Sequence, residues 1–263
     1  MVQNQTRMLE ERRKWLDYML GYVKPYNIVE FGCGSGFALE VLSGHFPNST
    51  IIGVDRSIER LDMVYERKLK NVVPMKADFT QKLFPDKTFD TAIFVGSLHE
   101  VFSAVGREKL RDTLAVAGDE LKDNGVVIIQ DFLKPNKKPV TLYFHNEQTR
   151  KIFSRFVREF TQRKVVFEEI KGGVKLDVAD AVEFISKYRS PTEEDWREEM
   201  AETHFFFSEQ EYKETAEKAG FAVKHVAELS KSKAFWSEIK EDIDFNYPND
   251  YLWIQLVLTK RIS

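Results

Sequence analysis

Short apolar runs alternate with amphipathic stretches along the first half of the chain. Asn27–Phe31, Thr50–Val54, Val72–Lys76, Asp90–Val95 and Val126–Gln130 are near-continuous apolar segments. Between them, Phe37–His45, Ser57–Lys70 and Gly106–Leu121 carry apolar residues at helical spacing. Strands that are apolar on both sides belong in a parallel sheet covered by helices on each face. Pro74 marks the third strand as irregular, and Asp123-Asn124-Gly125 is a turn signal ahead of the fifth. A leading helix is expected from Thr6 to Val23, with Leu9, Leu16, Met19 and Leu20 on one face and Pro25 closing it. Ser57 is placed to cap the helix that follows the second strand, with Ile58, Leu61, Val64, Tyr65 and Leu69 as its inner face.

The alternation stops after the fifth strand. Residues 134–207 hold little strand signal, and three helices are expected there. They cover Glu147–Lys164, Val178–Tyr188 and Glu193–Glu202, the last capped by Thr192 with Asp195 as its partner. A helix from Ser208 to Gly220 then leads into strand Phe221–Leu229, and a last strand covers Tyr251–Leu258 after a loop containing Pro248.

The junction of the first strand and its helix carries the chemistry. In Val29-Glu-Phe-Gly-Cys-Gly-Ser-Gly36, three glycines fall at alternate positions behind an acid, Glu30, and the second strand ends on Asp55. Glycine permits positive φ and lets a ligand pack against bare backbone. A carboxylate ending the second strand can bind a ribose diol. The spacing departs from the G-x-G-x-x-G of dinucleotide sites, since the sixth position is Phe37. An anion at Glu30 disfavours a pyrophosphate and suits a cationic ligand. This pattern resembles the first motif of the class I S-adenosylmethionine-dependent methyltransferases, here of the small-molecule type. The resemblance covers about residues 27–133 and 206–260.

That resemblance implies a doubly wound, Rossmann-like α/β sheet of seven strands, the last antiparallel, with strands near 222 and 251 as its final two. It implies a cofactor-binding domain over 1–133 and 206–263, interrupted by a helical lid over 134–205. Gly32, Cys33, Gly34 and Gly36 would form the turn, with Glu30 near the methionine end. Asp55 would hold the ribose, with Arg56 beside it. Asp78 and Phe79, in Lys76-Ala-Asp-Phe79, would take the adenine amino group and ring. Gly96 closes the fourth strand and completes this set. Cys33, the only cysteine, rules out a disulfide framework and a cysteine-based zinc site, and we expect it to be a small filler in the turn.

Two residues are candidates for catalysis. After the fourth strand, Val95-Gly-Ser-Leu-His-Glu-Val-Phe102 lacks the Asn/Asp-Pro-Pro-aromatic tetrad that is frequent in enzymes methylating base nitrogens. His99 stands where several small-molecule O-methyltransferases of the resembling family carry a general-base histidine. Asp131, at the end of the fifth strand, matches their orienting acid. His99 could equally contact the adenosyl group or pack under the lid, and Glu100 is a substitute base. His145 and His204 could form a polar patch with His99. Their spacing along the chain is not that of a metal site, so no metal is expected.

Charge sets the remaining expectations. From Lys134 to Lys175 there are eleven Lys/Arg and four Asp/Glu, whereas Glu193–Glu217 holds ten acids and two bases. The basic segment could attract an anionic substrate or a nucleic-acid backbone, or it could be a solvated face paired with the acidic one. The whole chain carries a net charge of −3, and its sequence pI is near 6.0, unlike a dedicated nucleic-acid binder. No apolar run is long enough to span a membrane and the start has no secretory core, so a cytoplasmic protein is expected. The resulting expectation is methyl transfer from S-adenosylmethionine to a small molecule, at a hydroxyl, in a pocket under the lid, leaving S-adenosylhomocysteine. An RNA-directed methyltransferase and a non-catalytic module that acts through a partner are the alternatives. Tyr143, Phe144, Phe205, Phe206 and Phe207 suit either a pocket lining or a core.

Overall fold

The computed structural model describes residues 13–230, 233–245, 247 and 251–261. Helix α1 is described over 13–20, and the earlier part of the expected leading helix lies outside the described residues. Its Leu16, Met19 and Leu20 are buried against Ile28, Leu39 and Leu42.

The elements then run β1 (Asn27–Phe31), α2 (Phe37–His45), β2 (Thr50–Asp55), α3 (Ile58–Glu66), β3 (Val72–Lys76), β4 (Phe89–Val95), α4 (Leu98–Glu120) and β5 (Leu121–Phe132). The last third supplies α8 (Glu209–Lys218), β9 (Phe221–Ser230) and β11 (Tyr251–Lys260). These strands make one seven-stranded sheet in the order β3-β2-β1-β4-β5-β11-β9. The pairs β1/β2, β1/β4, β2/β3 and β4/β5 are parallel. Strand β11 lies antiparallel to both β5 and β9. The doubly wound sheet with an antiparallel last strand therefore matches the expectation. Both faces are buried: Val29, Phe94, Val127 and Ile129 pack on one side, and Ile28, Ile51, Ile93 and Ile128 on the other.

The insertion is where the sequence expectation needs correction, because it is not a purely helical lid. Besides α5 (Glu147–Glu159), α6 (Val178–Lys187) and α7 (Glu193–Met200), it contains β6 (Pro139–Phe144), β7 (Phe167–Ile170) and β8 (Gly173–Asp177). These form a second, antiparallel sheet in the order β10-β6-β8-β7, completed by β10 (Ile243–Phe245) from the link between β9 and β11. That link also holds the short helix α9 (Lys233–Ile239). The second sheet's sequence signals are Val140 and Leu142 at period two, both buried, and the Gly172-Gly173 dipeptide between β7 and β8. Helix α5 ends at Glu159, short of the expected Lys164. Around the second sheet, Phe153, Phe156, Phe184 and Trp196 form a separate core that reaches Phe132, Leu252 and Trp253 of the main sheet. Among the described residues, no helix is long and apolar enough to cross a membrane.

Candidate active site

The site lies where the carboxyl ends of β1, β2, β4 and β5 meet the returning end of the insertion. After β1 the chain folds back through Gly32, Gly34 and Gly36 with φ of 74°, 53° and 79°. A Cβ on Gly32 would stand 2.5 Å from the Ser97 Cβ and 3.4 Å from a Phe79 ring carbon. One on Gly36 would meet Val64 at 2.9 Å. Both positions thus exclude side chains by contact as well as by dihedral. Gly32 and Cys33 donate their amides to the Val54 carbonyl at 2.8 and 3.0 Å, fixing the turn to the end of β2.

Asp55 finishes that tie. Its Oδ2 accepts from the Gly34 amide at 2.8 Å and its Oδ1 from the Ser57 amide at 2.9 Å. Each carboxylate oxygen retains a second lone pair, so the group is held in one orientation and can still accept from a diol. Cys33 is buried in the turn, and burial together with Glu30 and Asp55 pushes its thiol far up. It is a filler that stays protonated, not a nucleophile. Glu30 is buried at the end of β1. Arg56 is exposed, with its guanidinium 3.9 Å from Glu100. Phe79 packs its ring 5.8 Å from that of Phe31. Asp78 is exposed on the next turn, and the Thr80 amide and hydroxyl on its Oδ1 hold its carboxyl below the ordinary range. The structure therefore brings Gly32, Cys33, Gly34, Asp55 and Phe79 together at one turn, with Arg56 and Asp78 exposed on the loops after β2 and β3 and Gly96 (φ 60°) starting the loop after β4.

These residues fit an adenosyl cofactor with a cationic sulfur. The turn offers bare main chain, with a Cβ excluded at Gly32 and Gly36, and a braced carboxylate stands at the β2 end.

Beyond β4, Ser97 is buried and donates to the Phe31 carbonyl at 2.8 Å. Helix α4 starts at once, at Leu98, and not near Gly106 as the pattern suggests. At Gly106 the helix breaks, with φ 81° and ψ 178°. The early start depends on Asp131 of β5, which is fully buried. Its Oδ2 accepts from the Leu98 and His99 amides at 2.9 and 3.2 Å, the first-turn donors that a helix leaves unpaired. Its Oδ1 accepts from the Phe132 amide and from His99 Nδ1, both at 2.8 Å. One carboxylate thus caps the helix and orients the imidazole that the helix carries. Burial would push His99 down, but Asp131, with help from Glu202 and Glu100, raises it to about 9.

The insertion brings His204 to His99, as weighed from the sequence, together with glutamates that the sequence did not announce. His99 Nε2 lies 4.0 Å from Glu202 Oε1. His204 Nε2 lies 3.2 Å from that oxygen and 3.3 Å from Glu199 Oε2. The His204 ring stacks on Phe132 with centroids 4.2 Å apart and meets the His99 ring edge-on at 5.1 Å. Glu183 of α6, itself fully buried, holds this turn by accepting from the His204 amide at 2.8 Å and the Thr203 hydroxyl at 2.8 Å. Buried Lys187 bridges to Glu199 at 2.8 Å and lies 3.5 Å from Glu183. Burial alone would raise Glu183, but Lys187, His204 and Arg163 reverse this and keep its carboxyl below the ordinary range. His145, by contrast, is remote from His99 and faces Asp244 at 3.2 Å. Phe205, Phe206 and Phe207 are buried core residues, and Tyr143 is exposed, so they do not form the apolar lining weighed from the sequence.

Comparison with known proteins agrees with this geometry. A family model described as a methyltransferase domain matches residues 4–226. No curated protein matches the sequence. An S-adenosylmethionine-dependent methyltransferase from Mesorhizobium loti is similar over 94% of this chain and 96% of its own, at 17% identity and a TM-score of 0.58. One from Aquifex aeolicus covers 96% and 92%, at 16% identity and a TM-score of 0.54. The Burkholderia thailandensis 1,6-didemethyltoxoflavin-N1-methyltransferase, with 1,6-didemethyltoxoflavin and S-adenosylhomocysteine bound, covers 97% and 79%, at 13% identity and a TM-score of 0.56. With the family model spanning most of its length and the glycine turn, braced acid and sheet order in place, this chain belongs to the class I S-adenosylmethionine-dependent methyltransferases.

Proposed function

We propose that the protein methylates a small organic acceptor, at a hydroxyl, with His99 as the base. S-adenosylmethionine supplies a methyl group already activated on a sulfonium. The protein must then align the acceptor oxygen and remove its proton. The observation that carries this reading is the His99–Asp131 contact of 2.8 Å. It keeps a proton on Nδ1, so that neutral His99 offers Nε2 as the acceptor. A positioned base contributes roughly 10²–10⁴-fold. Alignment under the insertion contributes more, up to about 7–11 kcal/mol. Because Asp131 holds the His99 proton to about 9, turnover should rise with pH toward that value. The cofactor's positive charge in the same pocket favours loss of that proton and moves the inflection lower.

A small acceptor is favoured over RNA because the arginines of the basic insertion are paired locally with acids. Arg150 pairs with Glu169, Arg155 with Glu159 and Glu193, and Arg163 with Asp180. The Burkholderia enzyme, whose acceptor is 1,6-didemethyltoxoflavin, supports a small-molecule acceptor on this fold, there methylated at nitrogen. The test is to supply methyl-labelled cofactor with a cell extract, with and without nuclease. Label in a nuclease-resistant small-molecule fraction, lost with His99→Ala, is the expected result. Label that vanishes with nuclease, or full labelling by His99→Ala, would remove the acceptor class or the base respectively.

A further inference from the structure

His99, Glu202 and His204 come from the start of α4 and the end of the insertion, and their ligand atoms all lie within 4.8 Å of one another. Hydrogen bonding fixes how the two rings face. Asp131 Oδ1 also accepts from the Phe132 amide, and His99 Nδ1 supplies the hydrogen of their 2.8 Å contact. The Ser186 hydroxyl donates to the Glu183 carbonyl at 2.9 Å. It therefore accepts from His204 Nδ1, also at 2.9 Å. Both imidazoles thus turn Nε2 toward the Glu202 carboxylate. Two ring nitrogens and an anionic oxygen that converge in this way can share protons, as in the 3.2 Å His204–Glu202 hydrogen bond, or hold a metal ion that displaces them.

We propose that His99 Nε2, His204 Nε2 and Glu202 form a three-ligand site for a borderline divalent transition ion of the Zn²⁺ class. The ion would exclude the acceptor's proton from His99. Around a tetrahedral ion at about 2.1 Å, ligand atoms stand roughly 3.4 Å apart. The His204–Glu202 edge, at 3.2 Å, already meets this spacing. The His99–Glu202 edge, at 4.0 Å, and the edge between the two histidines, within 4.8 Å, are longer and must contract as the ion binds, and the Glu202 side chain is 22% exposed. Each histidine has the outer-shell partner that metal-bound imidazoles usually show, a carboxylate for His99 and a hydroxyl for His204. Three protein ligands leave an open fourth position. The imidazole nitrogens select against Mg²⁺ and Ca²⁺, which prefer oxygen.

This inference uses the same His99 as the methyl-transfer reading but not its chemistry. A lone pair given to a metal cannot take a proton, so the bound ion holds transfer off, and a chelator restores it. The test titrates the whole chain, free of cofactor, with Zn²⁺ and with Mg²⁺ by calorimetry. The expected result is one Zn²⁺ per chain, no Mg²⁺ response, and at least about tenfold weaker Zn²⁺ binding in Glu202→Gln and in Ser186→Ala. Circular dichroism serves as the folding control for both variants. Ser186 touches no metal, so its effect reports on the His204 tautomer. Absent saturable Zn²⁺ binding, or binding unchanged in both variants, overturns the site. Zn²⁺ binding that persists while His99→Ala retains full methyl transfer leaves the metal site standing and removes only the proposed base.

Discussion

Replacing Asp131 with Asn isolates the interaction on which the catalytic reading depends. The carboxylate accepts four hydrogen bonds, from the Leu98, His99 and Phe132 amides and from His99 Nδ1. An amide accepts on one atom only, so its NH₂ must face donors wherever it points. The rise of His99 from 6.5 to about 9 corresponds, at about 1.4 kcal/mol per pH unit, to something on the order of 3 kcal/mol. Folded His99 is raised relative to the unfolded chain. Its contribution is therefore fully present below about 6.5 and is lost as pH climbs through about 9. Asp131→Asn should move the His99 midpoint down by roughly two pH units, since burial then acts with less opposition. It should also destabilise the protein by about 3–5 kcal/mol near neutrality, as when one partner of a buried pair is removed. Above the wild-type midpoint the gap should narrow to the capping share, about 1–2 kcal/mol. The assay is side-chain NMR of the five histidines, with His99 assigned from a His99→Gln spectrum and metal removed by chelator. Urea unfolding across the same pH range accompanies it. An unmoved His99 midpoint, or a stability gap constant between about pH 6 and pH 10, would refute the reasoning.

Three further predictions concern the cofactor turn and the insertion. Gly32→Ala places a Cβ 2.5 Å from the Ser97 Cβ at φ 74°. It should cost about 1–3 kcal/mol in unfolding free energy and abolish calorimetric binding of S-adenosylhomocysteine, and normal affinity would show that the turn is not the cradle. Asp55→Ala removes a charged acceptor and should weaken the same binding by roughly 10–100-fold, from the usual 1.5–3 kcal/mol of such a bond. An equal loss with adenine alone would argue against ribose recognition. Lys187→Met leaves Glu183 and Glu199 without their shared buried cation. Thermal unfolding should report a loss of about 3–5 kcal/mol, and an unchanged midpoint would mean that the network carries no stability.

What could be read from the chain follows from how local each signal is. The glycine turn, Asp55 and the Asp78-Phe79 step sit at fixed offsets from strand ends, so a few consecutive residues specify them. His99 and Asp131 were legible through the family resemblance, as the residues four positions past the fourth strand's run and one past the fifth's. The start of α4 was not, because its cap is a carboxylate 33 residues away. On α3 the expected inner face is half right. Leu61 and Val64 are buried, but Ile58 and Tyr65 are 49% and 62% exposed. The helix ends at Glu66, so the longer pattern drawn through Leu69 misjudged its phase. Glu202 carries no local mark, and His204 was legible only as a histidine that could join His99 in a polar patch. They meet His99 only because Glu183 and Thr203 fold the 203–205 turn back over β5.

The same division suggests how the two halves of the site can vary independently. The residues gathered for the cofactor all come from the continuous stretch 30–96, on strands whose register is set by the main sheet. Those facing His99 Nε2 come from the insertion, braced by a buried Glu183–Lys187–Glu199 network and by His204 stacked on Phe132. Phe132 follows Asp131 directly and packs against Trp253 at 4.6 Å, so the brace bears on the strand end that orients His99. Substitutions on the insertion's solvent face should leave the cofactor turn unaffected. A change at Phe132 or Glu183 disturbs both the orientation of His99 and what stands opposite it. On the proposed reading, the surroundings of His99 can therefore vary through the insertion with the glycine turn intact, while the Phe132–His204 stack is the point at which the two halves are mechanically joined.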